Sequence, residues 1–147
     1  MTLFFPDVNV WLALSVVGHT HGGEAWSWLQ SLPDSTKIAF CRYTQLGLLR
    51  LLTNPSVMGD KLLNVREAWD VYDRWIKDPT VVFLPEPRTL EAPFREATTG
   101  LTAQNSSNWI GDCYLVAYAK ECGATLVTFD KAMLSLASKR GCRAVRC

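Results

Sequence analysis

The sequence predicts an α/β fold in which helices cover both faces of a parallel β-sheet. Short, buried strand-like segments recur along the chain, and segments with helical periodicity lie between them. Strands that alternate with helices are typical of βαβ units, whose crossover helices pack against a parallel sheet. The 147 residues match the common size of one domain, and a hydrophobic content of 48% suffices for one core. We therefore expect residues 1–147 to form a single domain.

Five segments are rich in apolar and aromatic residues and have the length of buried strands. They read TLFF (2–5), KIAFC (37–41), VVFLP (81–85), TLVTF (125–129) and RAVRC (143–147). Stretches rich in Gly, Pro, Asn and Ser predict loops at 17–23, 53–61, 84–88 and 98–108. The last of these loops is the longest, and we expect it to be exposed and mobile.

Helical periodicity appears in three of the intervening segments. In residues 22–32 the apolar stripe contains Ala25, Trp28, Leu29 and Leu32. In residues 62–77 it contains Val65, Ala68, Trp69, Tyr72 and Ile76. A third helix is predicted over 131–138, where Gly141 provides a stop signal shortly after the end.

Charge and cysteine content limit the function classes. The formal net charge of +1 is low for a protein that binds duplex nucleic acid by bulk charge, so any such contact must be local or assisted by a cation. The five cysteines form no CxxC pair, and no secretory signal pattern begins the chain, so we expect free thiols in the cytoplasm. A disulfide between Cys142 and Cys147 is the alternative.

Three acids fall where a parallel sheet places its ligands. Asp7 directly follows the first strand, Asp130 directly follows TLVTF, and Asp112 lies near the start of the preceding helix. Ligands of open parallel sheets bind beyond the carboxyl ends of the strands. Three carboxylates in one crevice repel each other unless a cation neutralises them, and oxygen ligands suit Mg²⁺ or Mn²⁺.

Each of these acids also has a purely structural interpretation. Asp7 and Asp130 can cap the helices that follow them, because Asp is a favoured N-cap residue. Asp112 can interact with the positive end of its own helix dipole. The residues alone leave both interpretations open.

The sequence resembles PIN-domain ribonucleases, specifically VapC-type toxins of bacterial toxin–antitoxin modules. The resemblance spans nearly the whole chain and is carried by FPDVNVWLALSVV, TQLGLLRLLTNP and GDCYLVAYAKECGATLVTFD. It implies a three-layer PIN-like fold with a five-stranded parallel sheet of order 3-2-1-4-5. It also implies a Mg²⁺- or Mn²⁺-dependent endoribonuclease that acts on structured RNA such as tRNA or rRNA and leaves a 5′-phosphate. A cognate antitoxin and a homodimer are the implied protein partners.

The resemblance also implies the site residues. Asp7, Asp112 and Asp130 match family acids and are the expected catalytic and metal-binding residues. Asn9 and Thr128 match positions that support the acids. Gln45 departs from the family pattern, which usually has Glu there, and we expect its amide to support the site without adding charge. The missing charge favours one ion, held mainly by Asp7 and Asp112.

The departure at Gln45 also supports a second function class, a non-catalytic PIN-fold protein that binds RNA or a partner. A haloacid-dehalogenase-type phosphatase fits poorly, because it needs an acid where Asn9 stands. A response-regulator receiver fits poorly too, because it needs an acidic pair after the first strand.

The remaining candidates are basic and aromatic side chains. His19 and His21 match no common zinc spacing. Four basic residues are candidates for RNA phosphates or simply a solvated helix face: Arg42, Arg50, Lys61 and Arg66. Trp26 and Trp75 are candidates for a partner interface or for the core.

Overall fold

The sheet has the strand order that the resemblance implies. A computed structural model describes residues 2–102, 104 and 106–147, and in this part of the chain five parallel strands pair in the order β3-β2-β1-β4-β5. The strands are β1 (Leu3–Pro6), β2 (Lys37–Phe40), β3 (Val81–Phe83), β4 (Thr125–Thr128) and β5 (Ala144–Arg146). Each overlaps a predicted segment, so the predicted α/β fold with strand order 3-2-1-4-5 is confirmed.

Helices occupy most of the connections between strands. They are α1 (Val8–Ser15), α2 (Gly22–Gln30), α3 (Arg42–Leu52), α4 (Pro55–Met58), α5 (Val65–Lys77), α6 (Glu91–Ala97), α7 (Ser106–Glu121) and α8 (Lys131–Lys139). The predicted helices over 22–32, 62–77 and 131–138 correspond to α2, α5 and α8. In the described residues, no helix is long and apolar enough to cross a membrane.

The core consists of one apolar cluster on each face of the sheet, because successive strand residues point to opposite faces. On one face Phe5 stacks on Tyr118 of α7, with ring centroids 5.3 Å apart. On the other face Trp11 of α1 stacks on Phe40 at 3.7 Å, and α3 and α5 complete the layer. All five cysteines are free thiols, as predicted.

The buried face of α5 differs from the predicted stripe. Ala68, Val71 and Tyr72 are buried, whereas Trp69 and Ile76 are exposed. The buried residues and the half-buried Trp75 also follow the spacing of three and four that defines one helix face, so the observed stripe is rotated around the helix relative to the predicted one. This rotated face packs against α3 and β3. The periodic pattern located the helix correctly, but it placed the buried face on the wrong side of Ala68.

Two predicted loops contain helical structure. The segment 53–61 holds α4 and a 3₁₀ turn over Gly59–Lys61, and the Asn54 side chain caps α4 by accepting from the Ser56 N–H. The loop predicted at 98–108 ends earlier, because α7 begins at Ser106. Residues 103 and 105, in the middle of that loop, lie outside the described residues.

Candidate active site

Asp7 is a buried carboxylate at the carboxyl end of β1. Its backbone N–H donates to Val127 O on the neighbouring strand β4, which extends the pairing of the two strands to this residue. Its side chain caps α1: Oδ1 accepts from the N–H groups of Asn9 at 3.0 Å and Val10 at 3.2 Å. Burial raises the pKa of Asp7, and these hydrogen bonds act in the opposite direction.

Thr128 joins Asp7 to Asp130. Its buried hydroxyl donates to Asp7 Oδ2 at 2.5 Å and accepts from the Asp130 N–H at 3.0 Å. Asp130 in turn caps α8, with Oδ1 accepting from the N–H groups of Ala132 and Met133. One threonine hydroxyl therefore fixes the end of β4 relative to the carboxylate at the end of β1.

Asp112 faces the other two acids from the second turn of α7. Its side chain is half-buried, and burial together with the charges of Asp130 and Asp7 raises its pKa to about 6. The same repulsion acts on Asp7, whose pKa is raised further by the charge of Asp130. The structure therefore brings the three predicted acids into one electrostatically coupled group.

The chemistry of this donor set suits a hard cation. A carboxylate has about four acceptor positions, and within the described residues Asp112 accepts no hydrogen bond while Asp130 uses only Oδ1. Within the described residues, no group of three or more His, Cys, Asp or Glu side chains is placed so that it could hold a metal ion. Mg²⁺ does not require such a group, because it usually keeps several waters and binds through one or two carboxylates.

Asn9 and Gln45 take different positions relative to the acids. Asn9 supports Asp7 through its backbone N–H, while its side chain is exposed. Gln45 is buried, but its Oε1 accepts from Arg42 Nη1 at 2.5 Å and its amide lies beside the Tyr72 hydroxyl. Among the described hydrogen bonds, none joins Gln45 to an acid of the site, so its supporting role stays a prediction.

The comparison with known proteins identifies the family. The model of the PIN domain matches residues 4–139. The chain belongs to the PIN-domain family. It is 41% identical over 130 residues to Ribonuclease VapC41 of Mycobacterium tuberculosis strain H37Rv, covering 86% of this chain and 88% of the relative. It is 29% identical over 141 residues to Ribonuclease VapC39 of the same strain, covering 90% and 91%. The predicted resemblance to VapC-type toxins is thus confirmed.

Two solved structures share the fold. VapBC2 from Rickettsia felis, bound to a DNA fragment from its promoter, aligns with a TM-score of 0.71 at 14% identity over 99% of this chain and 98% of that chain. FitAcB from Neisseria gonorrhoeae aligns with a TM-score of 0.62 at 17% identity, covering 96% and 95%. Identities this low support the architecture and say nothing about individual residues.

The other candidates of this PIN-domain chain lie on several surfaces. Arg50 is exposed on α3, as predicted, and Trp26 is exposed on α2. Trp75 is half-buried, because its Nε1 donates to Ser15 Oγ and its ring packs on Trp11. His19 and His21 lie in the loop before α2, where the His19 ring accepts from the backbone N–H of His21.

Sequence reasoning missed two residues that border the site, Tyr43 and Gly111. The Tyr43 hydroxyl lies so close to Gly111 that a Cβ built on the glycine would be 2.1 Å from it. Their positions in the sequence could have indicated them. Tyr43 follows β2 by three residues, at the same carboxyl edge of the sheet as Asp7, and Gly111 directly precedes Asp112.

Proposed function

We propose that this PIN-domain protein is a VapC-type toxin that hydrolyses phosphodiester bonds in structured RNA, such as tRNA or rRNA, with the help of Mg²⁺ or Mn²⁺. The observation that carries the proposal is the convergence of Asp7, Asp112 and Asp130, with Thr128 bridging two of them. Similarity to two proteins named ribonucleases, one of them 41% identical, supports the reaction class.

The proposed partners follow from the same similarities. A cognate antitoxin is the proposed inhibitor, supported by the shared fold with VapBC2. We also propose that two copies of this chain form a homodimer. The five free thiols fit a reducing compartment such as the cytoplasm.

The three acids and Thr128 have different roles in the proposed reaction. Asp7 and Asp112 would mainly hold the cation, and Asp130 would act on it directly or through water. The cation would supply positive charge against the phosphate and increase the acidity of water. Thr128 keeps the Asp7 carboxylate oriented. The half-buried carboxylate of Asp112 accepts no hydrogen bond within the described residues and can accept a proton from the attacking water. That water attacks phosphorus and the P–O3′ bond breaks. The leaving 3′-oxygen takes up a proton from solvent, so the products carry a 3′-hydroxyl and a 5′-phosphate.

The Gln45 side chain does not require a non-catalytic interpretation. Its amide oxygen accepts from Arg42, whose guanidinium lies 4.8 Å from the centroid of the Phe83 ring. Glutamine at this position therefore holds an arginine in place and leaves the arginine charge unneutralised. We propose a single cation, since Gln45 adds no negative charge.

The test is RNA cleavage by the Asp7→Asn variant. Asn caps helices as well as Asp does, so α1 is expected to remain folded. The wild type should release fragments with 5′-phosphate ends in Mn²⁺ and none in EDTA, and the variant should release none in either. Asp60→Asn, at an exposed aspartate in the 3₁₀ turn, is the matched control and should cut like the wild type. Cleavage by Asp7→Asn at the wild-type rate would refute the assignment.

A further inference from the structure

A groove of about 410 Å³, with both polar and apolar walls, lies between α1 and α3. Its walls include Asn9, Tyr43, Arg50 and Asn54. The two helices are in close contact beneath it, because a Cβ at Gly47 would be only 2.7 Å from the Val8 side chain. The volume is within the range of about 300–1,000 Å³ that is typical of small-molecule pockets.

Two wall residues of the groove contact the acidic site or its neighbour in the chain. At one, the Asn9 N–H donates to Asp7 Oδ1. At the other, the Tyr43 hydroxyl rests on Gly111, the residue before Asp112. The walls of the groove therefore contact the chain at Asp7 and at the residue before Asp112.

Tyr43 has the properties of a stacking platform. It is 43% exposed, and its ring packs against Tyr114 with centroids 5.3 Å apart. Tyr114 is itself fixed by a hydrogen bond from its hydroxyl to Glu86 and by an edge contact with Phe94. An exposed aromatic ring with a fixed neighbour provides a surface on which an unstacked base can lie.

Arg50 supplies positive charge to the same groove. It lies in the last turn of α3 and is exposed. Within the described residues its guanidinium forms no ion pair or hydrogen bond, so its five donors remain available. Guanidinium groups bind phosphate in a bidentate manner.

We propose that this groove binds one unstacked nucleotide of the RNA next to the scissile phosphate, with the base on Tyr43 and a phosphate on Arg50. The inference rests on the proposed function and adds a substrate subsite to it. It fits an RNA with single-stranded loops, because sequence-specific recognition of RNA mostly targets loop bases that are splayed out.

The experiment measures binding without cleavage. A fluorescein-labelled oligouridylate is titrated against the Asp7→Asn protein by fluorescence anisotropy at several salt concentrations. Tyr43→Leu should weaken binding about tenfold, as expected for one lost stacking contact, whereas Tyr43→Phe should bind like the parent. Arg50→Gln should lower the slope of log K against log salt by about 0.7, the value for one phosphate contact with a single strand.

Two substitutions serve as matched controls. Trp69 is an exposed aromatic residue whose ring packs on Tyr72, and Arg74 is an exposed arginine in the last turn of α5. Trp69→Leu and Arg74→Gln should leave affinity and salt slope unchanged. An abasic oligomer of equal length should bind the parent more weakly and be insensitive to Tyr43→Leu.

The inference is overturned if Tyr43→Leu binds as tightly as Tyr43→Phe, if Arg50→Gln keeps the parent slope, or if the parent does not bind the probe. Failure of the proposed function gives a different result, the absence of RNA cleavage by the wild type, whatever the binding shows. Where the wild type cleaves, Tyr43→Leu should raise KM more than it lowers kcat.

Discussion

Asp112→Asn is expected to stabilise the folded protein at neutral pH in the absence of divalent cations. The pKa of Asp112 is about 6 in the folded protein and 3.8 ordinarily, and each pKa unit corresponds to about 1.36 kcal/mol. The ionised carboxylate therefore costs at most about 3 kcal/mol. Because the side chain is only half-buried, solvent screening reduces our expected gain in unfolding free energy to about 1 kcal/mol. For a chain of this size, that gain corresponds to a Tm increase of about 2–4 °C.

The pH dependence provides the stricter check. Since the folded-state pKa is the higher one, the folded wild type binds a proton more tightly, and its stability falls as pH rises from about 4 to about 6. The advantage of the variant should be absent below about pH 4 and complete above about pH 6, as followed by thermal unfolding in EDTA. Asp60→Asn should show no such dependence. An Asp112→Asn protein that is equally or less stable than the wild type at pH 8 would refute the raised pKa of Asp112.

Three further substitutions test individual contacts. Thr128→Val removes a buried hydrogen bond to the Asp7 carboxylate and should lower the unfolding free energy by about 1.5–3 kcal/mol. It should also weaken Mn²⁺ binding measured by calorimetry, because losing this hydrogen bond raises the pKa of Asp7 further. Thr36→Val, at a buried hydroxyl without a partner in the described residues, should change neither quantity appreciably. In Gln45→Glu, the new carboxylate should pair with the Arg42 guanidinium, so the Mn²⁺ affinity should not change. Tighter Mn²⁺ binding would mean that the side chain at position 45 reaches the cation. Gly111→Ala should weaken RNA binding in the anisotropy assay by displacing Tyr43. The double variant Gly111→Ala/Tyr43→Phe should regain that binding. Without the hydroxyl, the nearest atom of the ring is Cζ, which lies 3.2 Å from the new Cβ.

The sheet and the placement of the acids could be predicted because they depend on local pattern and on one topological rule. Buried strand segments are recognisable from composition, and the residue after each strand lies at the ligand-binding edge. Asp7 and Asp130 follow β1 and β4, which are neighbours in the sheet. Both acids also cap helices, so the structural and the functional interpretation are compatible.

The side-chain partners could not be predicted, because they depend on how distant elements pack. Tyr43 meets Gly111 across a helix contact that no local pattern encodes. Gln45 lies beside Tyr72 because α3 packs against α5, and the side chain also accepts from Arg42 one turn earlier on its own helix. Short helices such as α4 and α6 show too few turns for a periodic signal.

Calorimetric titration of the wild type with Mn²⁺ at about pH 6, in buffers of different ionisation enthalpy, tests the central claim most directly. A cation held by Asp7, Asp112 and Asp130 should bind with release of about half a proton from Asp112 at that pH and less at about pH 8, because ligands must be deprotonated. The Asp112→Asn protein should bind Mn²⁺ more weakly and release fewer protons on binding. Wild-type protein that binds no Mn²⁺, or that binds it as well after all three acids are replaced by Asn, would contradict the account.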